Sequence, residues 1–220
     1  MEISYWQSRW RKNKTGWHLN EVYLLLPDLW PSLSLKAGAR ILVPFCGKSL
    51  DMQWFTDHGF HVTGVDVSEK ALQEFMERSR KSFSSYQEHG LSVFRSKNIE
   101  LWQGNFQKLP INNMAPFDAI YDKAALIALP RKMRAKYAQK ALQLCDPATQ
   151  MLLQTFEYGQ DEMAGPPFSV DEDELQKLYG KQFDLALLYQ KQKPELLEKF
   201  QRRGLLSYLI EKVYHLKPKK

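Results

Sequence analysis

The sequence predicts an α/β fold: a doubly wound, mostly parallel sheet of about seven strands, helices on both faces, and the last strand antiparallel. Three observations predict it. From about residue 40 onward, short apolar runs alternate with stretches of helical periodicity. The first run, Ile41-Leu42-Val43-Pro44-Phe45, is continuously apolar, as a strand buried on both faces must be. A glycine-bearing loop follows that run and an acid ends the next one, as in doubly wound sheets that bind ligands at their switch point.

The elements follow in order. A helical stretch runs from Ser49 to His58, with Gly59 placed as its left-handed terminator. His61-Val62-Thr63-Gly64-Val65 is the second strand, and Ser68 caps a helix whose buried stripe is Ala71, Leu72, Phe75 and Met76. Ile99 to Trp102 and Phe117 to Tyr121 are the third and fourth strands. Pro130 suits the first turn of a helix reaching about Cys145, with Met133, Tyr137, Ala141 and Leu144 on one face. Met151 to Phe156 is the fifth strand. Asp171 with Glu174 resembles a capping box, opening a helix that stops at Gly180. Phe183 to Tyr189 and Leu205 to His215 are the last two strands, with at most a short helix between them, so they pair antiparallel at an edge. Residues 1–40, rich in Trp, and 82–98 fall outside the pattern. The expected organisation is a single domain over 1–220: an N-terminal cap segment (1–40), the core (41–215) and a basic tail (216–220).

Composition narrows the function classes. Hydrophobic residues make up 44% and charged residues 25%, enough for a packed core. No apolar run approaches the ~18 residues of a membrane span, and the opening Met1-Glu2-Ile3-Ser4 has no apolar signal region. The expectation is a cytoplasmic protein that engages no membrane. Two cysteines, Cys46 and Cys145, provide neither a disulfide framework nor a zinc spacing, and no metal site is expected. Cys46 reads as a small buried hydrophobe. The net charge of +6 invites a nucleic-acid reading. The basic runs at 9–14, 131–134 and 217–220 are scattered, and solvated helix faces and a terminus explain them equally well.

Pro44-Phe45-Cys46-Gly47-Lys48-Ser49 occupies the ligand crevice of such a sheet. Gly47 lets the backbone turn tightly, and the following helix aims its positive end at the ligand. Asp66 stands nineteen residues later, close to the interval at which an acid grips an adenosine ribose. One glycine is too few for a dinucleotide fingerprint, so a pyrophosphate is disfavoured and a phosphate-free adenosine ligand such as S-adenosylmethionine fits better. Taken alone, one Gly and one Asp read equally well as a structural turn.

Leu42-Val43-Pro44-Phe45-Cys46-Gly47-Lys48-Ser49-Leu50-Asp51-Met52 resembles the signature loop of the thiopurine S-methyltransferase family. Gly64-Val65-Asp66-Val67-Ser68, Phe117 to Leu126, Gly165-Pro166-Pro167-Phe168, Trp6-Gln7-x-x-Trp10 and Trp17-His18 resemble it too, in consistent order from residue 6 to about 215. The resemblance implies a Rossmann-like class I methyltransferase fold. It implies S-adenosylmethionine as donor, S-adenosylhomocysteine as product, a small aromatic or heterocyclic thiol (or a selenium or tellurium species) as acceptor, and a monomer. It implies that Trp10 covers the cofactor, Phe45 contacts it through the backbone and Asp66 holds the ribose. Asn105 and Phe106 would flank the adenine, Lys123 would sit beside the active site, and Trp17, Pro166 and Pro167 would shape the acceptor pocket. The family usually carries Glu where Asp66 stands and Arg where Lys123 stands; Lys lacks the planar fork for bidentate recognition.

No catalytic base is assigned, because alignment of a thiolate with an activated methyl group can itself contribute ~7–11 kcal/mol. The expected catalysis is proximity under an apolar lid of residues 1–20, with Lys123, and Lys199 or Arg202, favouring the anion. On spacing alone the tryptophans would be core, Lys123 solvated, Asn105 a turn residue, and Asp122 a cap or turn residue. Gly165-Pro166-Pro167-Phe168 also looks like the (Asn/Asp)-Pro-Pro-(Tyr/Phe) motif of base-modifying amino methyltransferases. Gly165 has no side chain to accept from an amine, however, and the motif follows the fifth strand rather than the fourth. The alternatives are a methyltransferase acting on another small molecule or on RNA, and a non-catalytic module binding adenosine compounds or RNA.

Overall fold

All seven expected strands form, and two more join them. The computed structural model describes residues 2–219. Its strands are β1 (Arg40–Pro44), β2 (His61–Asp66), β3 (Ser84–Glu88), β4 (Leu91–Ser96), β5 (Ile99–Gln103), β6 (Phe117–Lys123), β7 (Cys145–Glu157), β8 (Phe183–Gln192) and β9 (Ile210–Pro218). They make one sheet in the order β3-β4-β5-β2-β1-β6-β7-β9-β8. The five central strands, β5-β2-β1-β6-β7, are parallel, and β9 runs antiparallel to both its neighbours. The chain winds outward from β1 to one side and then, from β6, to the other. This puts the switch point, and with it the ligand crevice, at the carboxyl ends of β1, β2 and β6.

The sheet lies between two hydrophobic clusters because successive strand residues point to opposite faces. Ile41, Val43, Ala119 and Tyr121 pack with Leu26 of the short α2 (Leu26–Leu29), Met52 and Phe55 of α3 (Asp51–Asp57) and Leu72 and Phe75 of α4 (Glu69–Ser79). Leu42, Ile120 and Leu153 face Tyr137 and Ala141 of α5 (Arg131–Leu142) and Leu175 of α6 (Glu172–Tyr179). The expected caps form: Ser68 accepts from the Ala71 amide and Asp171 from the Glu174 amide. Gly59 takes the left-handed φ of 82° that terminates α3.

The structure corrects the sequence reading at three places. Residues 82–98 contain the hairpin β3–β4 on the β5 edge. Its first strand is short and polar and its second buries only Leu91 and Val93, but His89 and Gly90 turn it with φ of 50° and 75°, the primed geometry that suits hairpins. The last strand begins at Ile210, because Leu205 and Leu209 pack in a separate cluster with Tyr158 and Met163. That strand also runs through Pro218 with Leu216 buried, so 216–218 is not tail. The last two strands pair antiparallel at one edge as expected, with β9 between β7 and β8. Among the described residues no helix is long and apolar enough to cross a membrane.

Candidate active site

The loop after β1 is built for close approach. Phe45 and Gly47 both take left-handed φ values, 50° and 52°. At Gly47 a Cβ would come within 2.8 Å of the Trp10 ring, so only glycine leaves the backbone bare beneath that indole. Left-handed backbone at a bulky residue such as Phe45 costs energy and is typical of a functional loop. Cys46 is buried, and its thiol is pushed well up by burial and by Asp66, so it packs rather than reacts.

Asp66 ties three strand ends together. Its Oδ2 accepts from the Gly47 amide at 2.8 Å and its Oδ1 from the Ser68 amide at 2.8 Å, while its carbonyl accepts from the Gly104 amide at 2.8 Å. Burial pushes the carboxyl up to about 6, against the Ser68, Gly47 and Val67 amides, which favour the charged form. Each oxygen keeps a further lone pair for a hydroxyl donor. Just past β5, Asn105 is the turn residue its spacing suggested: its side chain accepts from the Gln107 amide at 3.0 Å. Phe106 is buried, 6.0 Å from the Phe45 ring and 5.2 Å from that of Tyr137.

The N-terminal segment lies over this loop. Trp6 and Trp10 sit on α1 (Ile3–Arg11), and Trp17 packs edge-on against both, at 5.2 and 5.8 Å. Trp10 is buried against Gly47, whereas Trp17 is 36% exposed, so the cluster is a cover with an open outer side rather than core. Gln7 Nε2 anchors it by donating to the Val67 carbonyl at 3.2 Å, and Lys48 Nζ lies 5.9 Å from the Trp10 ring.

Lys123, ending β6, is largely buried, so the solvated reading of its spacing does not hold. Its ammonium sits 5.5 Å over the Tyr23 ring. Burial lowers its pKa, while Asp51 and Glu211 favour the charged form. Around it runs a network that the sequence reading missed. Tyr23 Oη donates to Glu211 at 2.7 Å, Gln154 Nε2 donates to Glu211 at 2.8 Å, and Asp51 accepts from the Tyr23 amide and the Tyr121 hydroxyl. Tyr121 was detectable as the residue two before Lys123 on one strand, hence on the same face. Glu211 comes from the far end of the chain and left no local signal. Asp122 points to the other face, where it caps the following turn by accepting from Ala125 and Leu126.

The Pro166-Pro167 loop follows β7 and docks on the turn after β6 through a Phe168 amide to Ile127 carbonyl bond of 2.7 Å. Gly165 is required there: its φ is 73°, and a Cβ would meet the Phe168 ring at 2.4 Å. Helix α7 (Pro194–Gln201) bridges loop and cover, with Lys199 Nζ donating to the Gly16 carbonyl and Arg203 Nη1 to the Pro166 carbonyl. Lys199 is thus occupied at the rim and Arg202 is exposed, so neither joins Lys123. Arg203, which the sequence reading passed over, holds the proline loop. No group of three or more potential metal ligands occurs among the described residues.

The family model described as thiopurine S-methyltransferase matches residues 1–219. A protein named thiopurine S-methyltransferase from Pseudomonas fluorescens (strain SBW25) is 40% identical over 98% of this chain and 99% of its own length. One of the same name from Azotobacter vinelandii is 38% identical over 98% and 99%. Among solved structures, a SAM-dependent methyltransferase from Anabaena variabilis superposes with a TM-score of 0.65 at 13% identity, covering 99% of this chain and 95% of that one. The Burkholderia thailandensis 1,6-didemethyltoxoflavin-N1-methyltransferase, solved with S-adenosylhomocysteine, gives 0.63 at 17% identity over 98% and 87%.

Proposed function

The chain belongs to the thiopurine S-methyltransferase family, and from that premise we propose how it transfers the methyl group of S-adenosylmethionine to the sulfur of an aromatic or heterocyclic thiol. The observation that carries the proposal is the bare Gly47 backbone under Trp10, bonded to the Asp66 carboxylate nineteen residues on. A Cβ at Gly47 would close this cradle, and a single-glycine loop suits an adenosine ligand without phosphates. S-adenosylmethionine, when bound, supplies an electrophilic methyl group on a sulfonium.

The chain's own residues do the rest. Asp66 accepts from the ribose hydroxyls with its remaining lone pairs, and Asn105 and Phe106 flank the adenine beyond β5. Phe45 offers its backbone, and Trp10 closes over the loop and excludes water. Trp17, Pro166 and Pro167 bound the acceptor side, held to each other through α7. Lys123, largely buried and with no side-chain hydrogen bond among the described residues, stabilises a thiolate while Asp51 and Glu211 keep it charged. No strong base is required once sulfur and methyl are aligned, because orientation alone contributes ~7–11 kcal/mol. The acceptor is a small molecule rather than a nucleic acid or a membrane component, and we place the chain in the cytoplasm as a single-domain monomer.

The test is methyl transfer from labelled S-adenosylmethionine to 6-mercaptopurine, thiophenol, selenite and tRNA, with light scattering for the oligomeric state. Transfer to the thiols, lost in Asp66→Ala, is the expected outcome. Transfer confined to tRNA would overturn the acceptor class.

A further inference from the structure

His18 stands in the cover, directly after Trp17, and its ring centroid lies 6.4 Å from that of Trp10. Its Nε2 is buried and has no hydrogen-bond partner among the described residues. A buried ring nitrogen without a partner is uncommon enough to require an explanation. The groups that face it come from several elements: Lys48 from the loop after β1, Lys123 from the end of β6, and Arg78 and Glu74 from α4. Burial disfavours the imidazolium, as do the three cations, and the single carboxylate of Glu74 opposes them, so the ring is neutral at neutral pH. With its proton on Nδ1, neutral histidine leaves a lone pair on Nε2.

We propose that His18 Nε2 accepts the S–H proton of acceptors that reach the site as thiols rather than thiolates. The inference rests on the thiol-transfer reading above. The S–H bond breaks and its electron pair forms the new bond from sulfur to the methyl carbon. The bond from that carbon to the donor sulfonium breaks, leaving its pair on the donor sulfur. The proton passes to Nε2, and the flanking cations drive it on to water. Lys48 and Lys123 make a weak base of His18, one that matters for a protonated acceptor and little for an ionised one.

The experiment pairs 4-nitrothiophenol, ionised at neutral pH, with phenylmethanethiol, protonated there. His18→Gln is expected to slow phenylmethanethiol by about a hundredfold and 4-nitrothiophenol by less than about threefold, restoring phenylmethanethiol turnover at alkaline pH. A structural role would slow both alike. A second readout needs no turnover: on the protein carrying S-adenosylhomocysteine, phenylmethanethiol should shift the His18 Nε2 nitrogen resonance, with His18→Asn identifying the signal. Equal slowing of both acceptors with normal wild-type activity, or an unmoved resonance, would overturn the role of His18 alone. Wild-type inactivity on both thiols would overturn the acceptor class, and this inference with it.

Discussion

Asp66 has two duties at the end of β2. It staples the Gly47 and Ser68 amides, and in the proposed function it also accepts from ribose hydroxyls. Hydrogen bonds to a charged partner contribute ~1.5–3 kcal/mol, so Asp66→Asn should weaken S-adenosylmethionine binding by about 10- to 100-fold, read by calorimetry. Asn has the same shape but one acceptor oxygen, and its amino group would face a backbone amide. Lys123 calls for a different variant, because truncation would leave a hole beside Asp51 and Glu211. Lys123→Met keeps the stem and removes the charge. If the ammonium stabilises the thiolate, the acceptor KM should rise about tenfold (~1.4 kcal/mol) while the cofactor affinity stays within about twofold. Unchanged turnover and unchanged affinity for both ligands would show that the lysine is merely buried.

At the scale of elements, the cover and the β1 loop depend on each other through one missing methyl group. Gly47→Ala would place a Cβ 2.8 Å from Trp10 at a φ of 52°. The conformational penalty alone is roughly 1–2 kcal/mol, and the indole must also withdraw. The expected result is a loss of S-adenosylmethionine affinity of at least tenfold with α1 loosened, visible as increased Trp fluorescence quenching by acrylamide. The strands around this loop were legible because burial on both faces demands continuous apolar runs, and Ser68 and Asp171 were legible because capping is local chemistry. The hairpin at 84–96 was not, since Ser84, Ser85 and Gln87 carry no apolar period and its pairing depends on the β5 edge. In the site, Gly47, Asp66 and Trp10 could be read from spacing and resemblance. Tyr23, Glu211 and Arg203 could not, because each meets its partner across long sequence separations that leave no local pattern.

For the whole molecule, three buried groups with large shifts contribute to the response to mild acid. Burial, reinforced by Lys217, lowers His215 to about 4, and its Nδ1 has no partner among the described residues. Its folded pKa lies below the ordinary 6.5, so its contribution is present above pH 6.5 and lost as pH falls towards 4. Burial raises Asp66 and Asp122 to about 6. Their folded pKa values lie above the ordinary 3.8, so their contributions are present at low pH and lost as pH rises through 6. Each shift corresponds to ~3 kcal/mol, and two carboxyls oppose one imidazole. For these three groups, the free protein should therefore hold or gain stability between pH 6.5 and 4.5. In the proposed function ligand reverses one member of the balance, because the ribose hydroxyls donate to the ionised Asp66 carboxylate. The rise in Tm produced by saturating S-adenosylhomocysteine should accordingly shrink between pH 7 and 5. In Asp66→Asn the remaining shift should be small and flat across that range. A ligand-induced shift that held constant from pH 7 to 5 in the unsubstituted protein would mean that the ribose is held by some group other than the Asp66 carboxylate.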